Sequence, residues 1–162
     1  MDRLTVCFGG TTTAISLGIQ LWSRSMWSHV AIVLPYGQVI ESVGGIGVVC
    51  STLDQFKARY KWWAVGQMLC EDLEKAHSLA LQYVEQRVGY DDRLTFGQII
   101  GLYLDDPDKL NCSEKVGALS GLYRPDTIYT LRPSDLWKHC KWVLESHTEL
   151  PRFRPAPLVT GV

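Results

Sequence analysis

The 162-residue chain has no CxxC pair, and its five cysteines, Cys7, Cys50, Cys70, Cys112 and Cys140, are odd in number. A disulfide framework needs an even set, usually in a shorter secreted chain, so reduced thiols are expected. Structural zinc needs clustered Cys and His. His139-Cys140 is the only adjacent pair, so no metal is expected. Lys/Arg runs are missing too: the tail "RFRP" comes nearest, and the formal net charge is −1. No broad field draws nucleic acid or an anionic membrane to such a chain. No stretch approaches about 18 uninterrupted apolar residues, so stable membrane insertion is not expected. GxGxxG, a phosphate loop and a run of βαβ units are all absent, and no cofactor is expected. The segment "MDRLTVCFGG" lacks a basic start followed by a long apolar run. That argues against a signal peptide and for a cytoplasmic location, or for carriage outside by a larger assembly such as a virion.

What is present suits one compact domain. Apolar residues make up 46% of the chain, enough for a sizeable core, and there are six tryptophans. We expect one domain over residues 1–148 and a Pro-rich tail over 149–162, extended on the surface or without fixed structure. "LTVCF" reads as a strand ending at Gly9-Gly10. "TAISLGIQLW" has the spacing of a short helix. "HVAIVL" and "QVIESV" flank "PYG" as a hairpin, and "IGVVCS" follows as a third strand. "STLDQFKARY" reads as a helix, "KWWAVGQM" as a strand, and residues 72–88 as the most regular helix. "YDDRLTFGQIIGLYL" holds a short helix and "DDPDK" a loop. A helix starts at Asn111 and ends near Gly121. "TIYTL" reads as a late strand and "PSDLWKHCKWVL" as a final helix. Strands and helices mix without regular alternation, which indicates an α+β fold with an antiparallel sheet packed against helices.

Two stretches carry chemistry. In "LNCSEKV", Asn111 is a good N-cap and Glu114 stands three residues on, close to a capping box. Cys112 is then the first helical residue. Unpaired N–H groups and the positive end of the helix dipole favour a thiolate there. The same N–H groups can stabilise an oxyanion. Taken alone, Cys112 reads more readily as a small buried hydrophobe.

A thiolate nucleophile needs a base and the base an orienting group. His29 opens "HVAIVL". "LPYG" suits a type I turn with Pro35 second and Gly37 fourth, the common three-residue hairpin loop. In that register Val33 opposes Val39 and Ala31 opposes Glu41, so Glu41 shares a face with His29 on the diagonal. Diagonal neighbours are about 7–8 Å apart, within reach of a Glu side chain. A slip of one residue would send Glu41 to the other face.

"SHVAIVLPYGQVIESVGGIGV" followed much later by "NCSEKV" resembles the NlpC-type papain-like cysteine peptidases. More closely, it resembles their circularly permuted, YiiX-like branch, related to lecithin:retinol acyltransferase. "LTVCFGG", "VGYDD" and "LRPSDLW" add to the likeness, which spans roughly residues 4–138. The chain departs from the family in having Gly9-Gly10 where an acidic element is usual. The resemblance implies a permuted papain-like core, with Cys112 as nucleophile, His29 as general base and Glu41 as the group that orients the histidine. It also implies substrate contacts by Tyr90, Asn111 and Ser28. The function expected is a thiol hydrolase that cleaves an amide in a peptide, isopeptide or peptidoglycan stem peptide. The alternatives are a lipid or thioester acyltransferase on the same site and a non-catalytic binding module on the same fold. Phage or cell-wall association belongs to the same set of expectations.

Overall fold

The computed structural model describes residues 1–89, 111–124 and 127–145. The strands are β1 (Asp2–Gly10), β2 (His29–Val33), β3 (Gln38–Val43), β4 (Gly47–Thr52), β5 (Trp62–Cys70) and β6 (Lys141–Glu145). The helices are α1 (Ala14–Ser23), α2 (Leu53–Arg59), α3 (Leu73–Glu85), α4 (Cys112–Ser120) and α5 (Pro133–Lys138). The strands form one sheet in the order β4-β3-β2-β1-β5-β6, with every neighbour antiparallel. The expected α+β class is therefore observed.

Alternation along the strands divides the core. Leu4, Val6 and Phe8 of β1 face one side of the sheet with Val30 and Ile32 of β2. Ala76 and Ala80 of α3, Val116 and Leu119 of α4, and Leu136 and Trp137 of α5 cover that face. The intervening residues Cys7, Ala31, Val33, Val39 and Val65 meet Phe56 of α2 on the other. A strand covered on both faces needs no polar alternation, which is why "HVAIV" is buried throughout. Phe8, Trp27 and Trp137 pack as one aromatic cluster, with ring centroids 4.5–5.9 Å apart.

The β2–β3 register is the expected one, Val33 opposite Val39 and Ile32 opposite Ile40. The turn that sets it is different. Tyr36 has φ 63° and ψ 18°, so the third turn residue, and not only Gly37 (φ 74°), is left-handed. A positive φ at that position is not type I geometry. The register survives because the loop still has three residues, closed by Leu34 N–H to the Gln38 carbonyl at 2.7 Å.

Two other expectations are corrected. "TIYTL" is a 3-10 turn over Ile128–Thr130, not a strand. Its N–H groups bond locally, Thr130 to Thr127 at 3.1 Å and Leu131 to Ile128 at 3.2 Å, so no ladder forms. The last helix stops at Lys138, and residues 141–144, expected to be helical, belong to β6 on the flank of β5. Pairing satisfies the N–H and C=O groups that β5 would otherwise present as an open edge. The expected short helix and loop between residues 90 and 109, Tyr90 and the 148/149 boundary lie outside the described residues. Among the described residues no helix is long and apolar enough to cross a membrane.

Candidate active site

β2 is flanked unequally. Its pairing with β1 runs from Ile32 opposite Val6 to His29 opposite Gly9. Its pairing with β3 covers only Ile32 and Val33. Toward its start the strand has an open flank, and the N-terminus of α4 lies there against β2 and β3. The Val30 backbone is near enough to Cys112 to help lower its thiol.

The start of α4 is locked by its own sequence. Asn111 Oδ1 accepts from the N–H groups of Ser113 and Glu114, both at 2.9 Å. Glu114 Oε2 accepts the Asn111 N–H at 2.8 Å and completes the capping box. Asn111, Ser113 and Glu114 are all buried with Cys112. The cap leaves the Cys112 N–H as the first-turn donor it does not use.

His29 Nε2 lies 3.2 Å from Glu41 Oε2. The other ring nitrogen is then the one left for Cys112, which lies near enough to lift the imidazole. Tyr60 stacks on the imidazole at 5.5 Å and 11°, and Phe56 lies 6.1 Å away. Glu41, fully buried, accepts at Oε1 from Ser51 Oγ (2.8 Å) and from the Arg59 guanidinium. Thus the structure brings Cys112, His29 and Glu41 together.

Burial disfavours the charged form of each group, but their mutual contacts prevail. Burial pulls His29 down, yet hydrogen bonds and charge from Cys112 and Glu41 lift it from 6.5 to about 9. Glu41 is pushed up by burial, but His29, Arg59 and Ser51 bring it from 4.5 to about 2. Cys112 is likewise raised by burial. Contact with His29, the Val30 N–H and Ser113 overcomes that, and its thiol falls below the ordinary value. The arrangement favours a thiolate–imidazolium pair backed by a carboxylate.

Ser28 and Asn111 are placed differently from these three. Ser28 Oγ lies 2.6 Å from Ser16 Oγ and 3.4 Å from the Gly9 carbonyl, tying α1 to the sheet. Asn111 caps α4. Both make scaffold bonds next to the cluster.

Sequence reasoning missed Ser51, Phe56, Arg59, Tyr60 and Lys115. Ser51 could have been found: Val39 opposes Ser51 and Glu41 opposes Val49, so extending the hairpin to β4 puts Ser51 diagonal to Glu41. Arg59 and Tyr60 end a helix whose docking is purely tertiary, and no local pattern marks them.

Gly9-Gly10 has a packing reason here. A Cβ at Gly9 would lie 2.5 Å from the Tyr60 ring, and one at Gly10 would run into the Met26 carbonyl. Gly9→Ala should push Tyr60 off its stack on His29. Overpacking of this kind costs about 1–3 kcal/mol. We expect a melting temperature lower by roughly 2–8 °C and slower alkylation of Cys112 at pH 6. An unchanged labelling rate would show that the Tyr60 stack does not position the imidazole.

An antiparallel α+β domain with a buried Cys–His–Glu cluster is the class that fold and site define. Comparison with solved structures finds a protein of similar fold, YiiX of Escherichia coli O157:H7, described as a metalloprotein. The two superpose with a TM-score of 0.51 at 17% sequence identity, over 90% of this chain and 97% of that one. At that identity the likeness shows a YiiX-like fold and nothing finer. No family model matches the chain, and no curated protein matches it.

Among the described residues no group of three or more His, Cys, Asp or Glu side chains is arranged to hold a metal ion. At the candidate site both Glu41 oxygens already accept from His29, Ser51 and Arg59. This donor set does not fit a metal.

Proposed function

We propose that the protein is a thiol hydrolase that cleaves an amide or related acyl bond. The observation that supports this most directly is the Cys112–His29–Glu41 cluster, whose hydrogen bonds favour thiolate and imidazolium over the neutral pair. In the proposed reaction the Cys112 thiolate attacks the substrate carbonyl and a thioester-forming tetrahedral intermediate develops. The Cys112 N–H at the start of α4 donates to the oxyanion. Protonated His29 gives its proton to the leaving amine as the C–N bond breaks. His29 then takes a proton from water, which attacks the acyl-enzyme and releases the acid and the thiolate. Glu41 holds the ring and stabilises its positive charge throughout.

One observation favours a second reading, transfer or hydrolysis of an acyl group carried by a lipid or thioester. An apolar hollow of about 420 Å³ lies between α1 and the start of β5, walled by Leu17, Leu21, Met26 and Trp62. Trp62 pairs with Gly10 in the sheet, one residue from Gly9, the partner of His29. The hollow is therefore at the same end of the sheet as the thiol.

The test is the pH dependence of Cys112 alkylation in wild type and His29→Ala, with the modified site mapped by mass. Cys50 is exposed and will also react, and it serves as the internal reference. Rapid labelling of Cys112 well below pH 8, lost in His29→Ala, is expected. A midpoint near the free-thiol value of about 8.5, unmoved by the substitution, would remove the basis for catalysis and leave a binding module on this fold.

A further inference from the structure

Lys115 is the one lysine that the described residues enclose completely, and among them its Nζ has no hydrogen-bond partner. It stands three residues after Cys112 on α4, so the two side chains leave the helix on neighbouring positions of one face. The groups around it come from several elements. Cys112 is on its own helix, Cys7 on β1 and Glu41 on β3, all close enough to act on its charge. His29 of β2 and Arg59 of α2 reach Glu41, and Glu114 is spent on the helix cap. α3 contributes the buried apolar residues Ala76 and Ala80.

An enclosed ammonium without a partner is expensive, and an apolar side chain of similar volume would be more stable there. A fold that carries lysine at this point gains something other than stability. We propose that Lys115 is an electrostatic positioning residue for the nucleophile: its enclosed ammonium, one helical turn from Cys112, favours the thiolate over the thiol. The proposal rests on the thiol chemistry above.

The charge balance supports it. His29 and Arg59 offset Glu41 and the Cys112 thiolate. Protonated Lys115 adds a further positive charge on the helix that carries the thiol, the sign that suits a thiolate and a developing oxyanion. Burial brings Lys115 from 10.5 down to about 7, while Cys112, Glu41 and Cys7 oppose the fall. The lysine is thus charged at mildly acidic pH, where a cysteine most needs help to ionise. Its charge fades above neutrality, where His29 alone suffices. The coupling is reciprocal: what Lys115 does to the thiol, the thiol does to Lys115.

Lys115→Met keeps the volume and removes the charge. We expect the midpoint of Cys112 alkylation to move up by about one pH unit, a roughly tenfold slower reaction at pH 5.5. Near pH 9 the rates should converge. The melting temperature at pH 6 should rise, an outcome that a merely structural role for the lysine would reverse. A folded Lys115→Met protein with an unmoved midpoint overturns the proposal. Should the variant not fold, the wild-type chain answers instead, through the ¹³Cε titration of Lys115 in [¹³C]lysine-labelled protein with and without Cys112→Ala. A lower Lys115 midpoint in Cys112→Ala supports the coupling, and an identical one overturns it. His29→Ala separates the two readings. If it leaves Cys112 labelling unmoved, the Cys–His pair itself fails. If only Lys115→Met does so, the pair stands and the role of the lysine falls.

Discussion

Cys112→Ala will remove turnover of the acyl substrate by a factor of at least about 10³ and leave the fold in place. The factor is large because no other group can take the role. Cys7, Cys70 and Cys140 are buried, and burial raises all three thiols above their ordinary values. Cys50 is exposed on β4. The fold survives because the substitution removes one sulfur atom from a position that Asn111 and Glu114 already hold by three backbone bonds. The loss of buried sulfur surface, about 1 kcal/mol, is set against removal of a desolvated charge, so the melting temperature should move little. Near-ultraviolet circular dichroism of the Trp27–Trp137 pair reports whether the core beside α4 is intact. An active, folded Cys112→Ala protein would end the mechanism. An inactive but misfolded one would show that Cys112 is packing first and chemistry second.

The parts of this site that were legible in the sequence are those fixed by local chemistry. Asn111 and Glu114 predict a helix start at Cys112, because a cap is satisfied within four residues. The three-residue loop predicts the register that puts Glu41 beside His29, and it does so even though Tyr36 adopts a different turn conformation. The α+β class follows from elements that do not alternate. The rest depends on what lies across the molecule. "TIYTL" has strand composition, yet composition cannot say that its N–H groups will close on Thr127 and Ile128. "KWVLE" has helical neighbours, and it becomes a strand because β5 has an open flank. The early end of the β2–β3 ladder is likewise a tertiary fact. It gives α4 its place against β2 and β3. Lys115 gave no signal, because nothing nearby in sequence reveals that the helix buries that face.

Glu41→Gln tests the electrostatics more sharply than any removal of side-chain bulk. Every group around Glu41 donates: His29 Nε2–H, the Ser51 hydroxyl and Arg59. A carboxylate accepts on both oxygens, whereas an amide accepts on one and donates from the other. The amide of the Glu41→Gln variant must therefore set donor against donor on one side. Arg59, with a side chain 43% exposed, can turn to water, and the Ser51 hydroxyl can rotate. His29, held between Tyr60 and Phe56, keeps the amide oxygen. The remaining effect is loss of the charge that helps lift His29 to about 9. The alkaline limb of turnover should fall toward the ordinary histidine value of 6.5, with activity at pH 8 lower by about 10–100-fold.

The stability of the same variant fixes the sign. Glu41 is depressed from 4.5 to about 2, so its contribution is present above the higher value and lost as pH falls toward the lower. His29 is raised from 6.5 to about 9, so its contribution is full below the lower value and lost as pH rises through the higher. Both hold together between about 4.5 and 6.5. Urea unfolding at pH 5.5 should therefore show Glu41→Gln less stable by about 1–3 kcal/mol. The gap should narrow at pH 3 and at pH 9.5. A gap that is the same at all three values would mean that the carboxylate acts only through its shape. In that case the alkaline limb of turnover should stay where it is in the wild type.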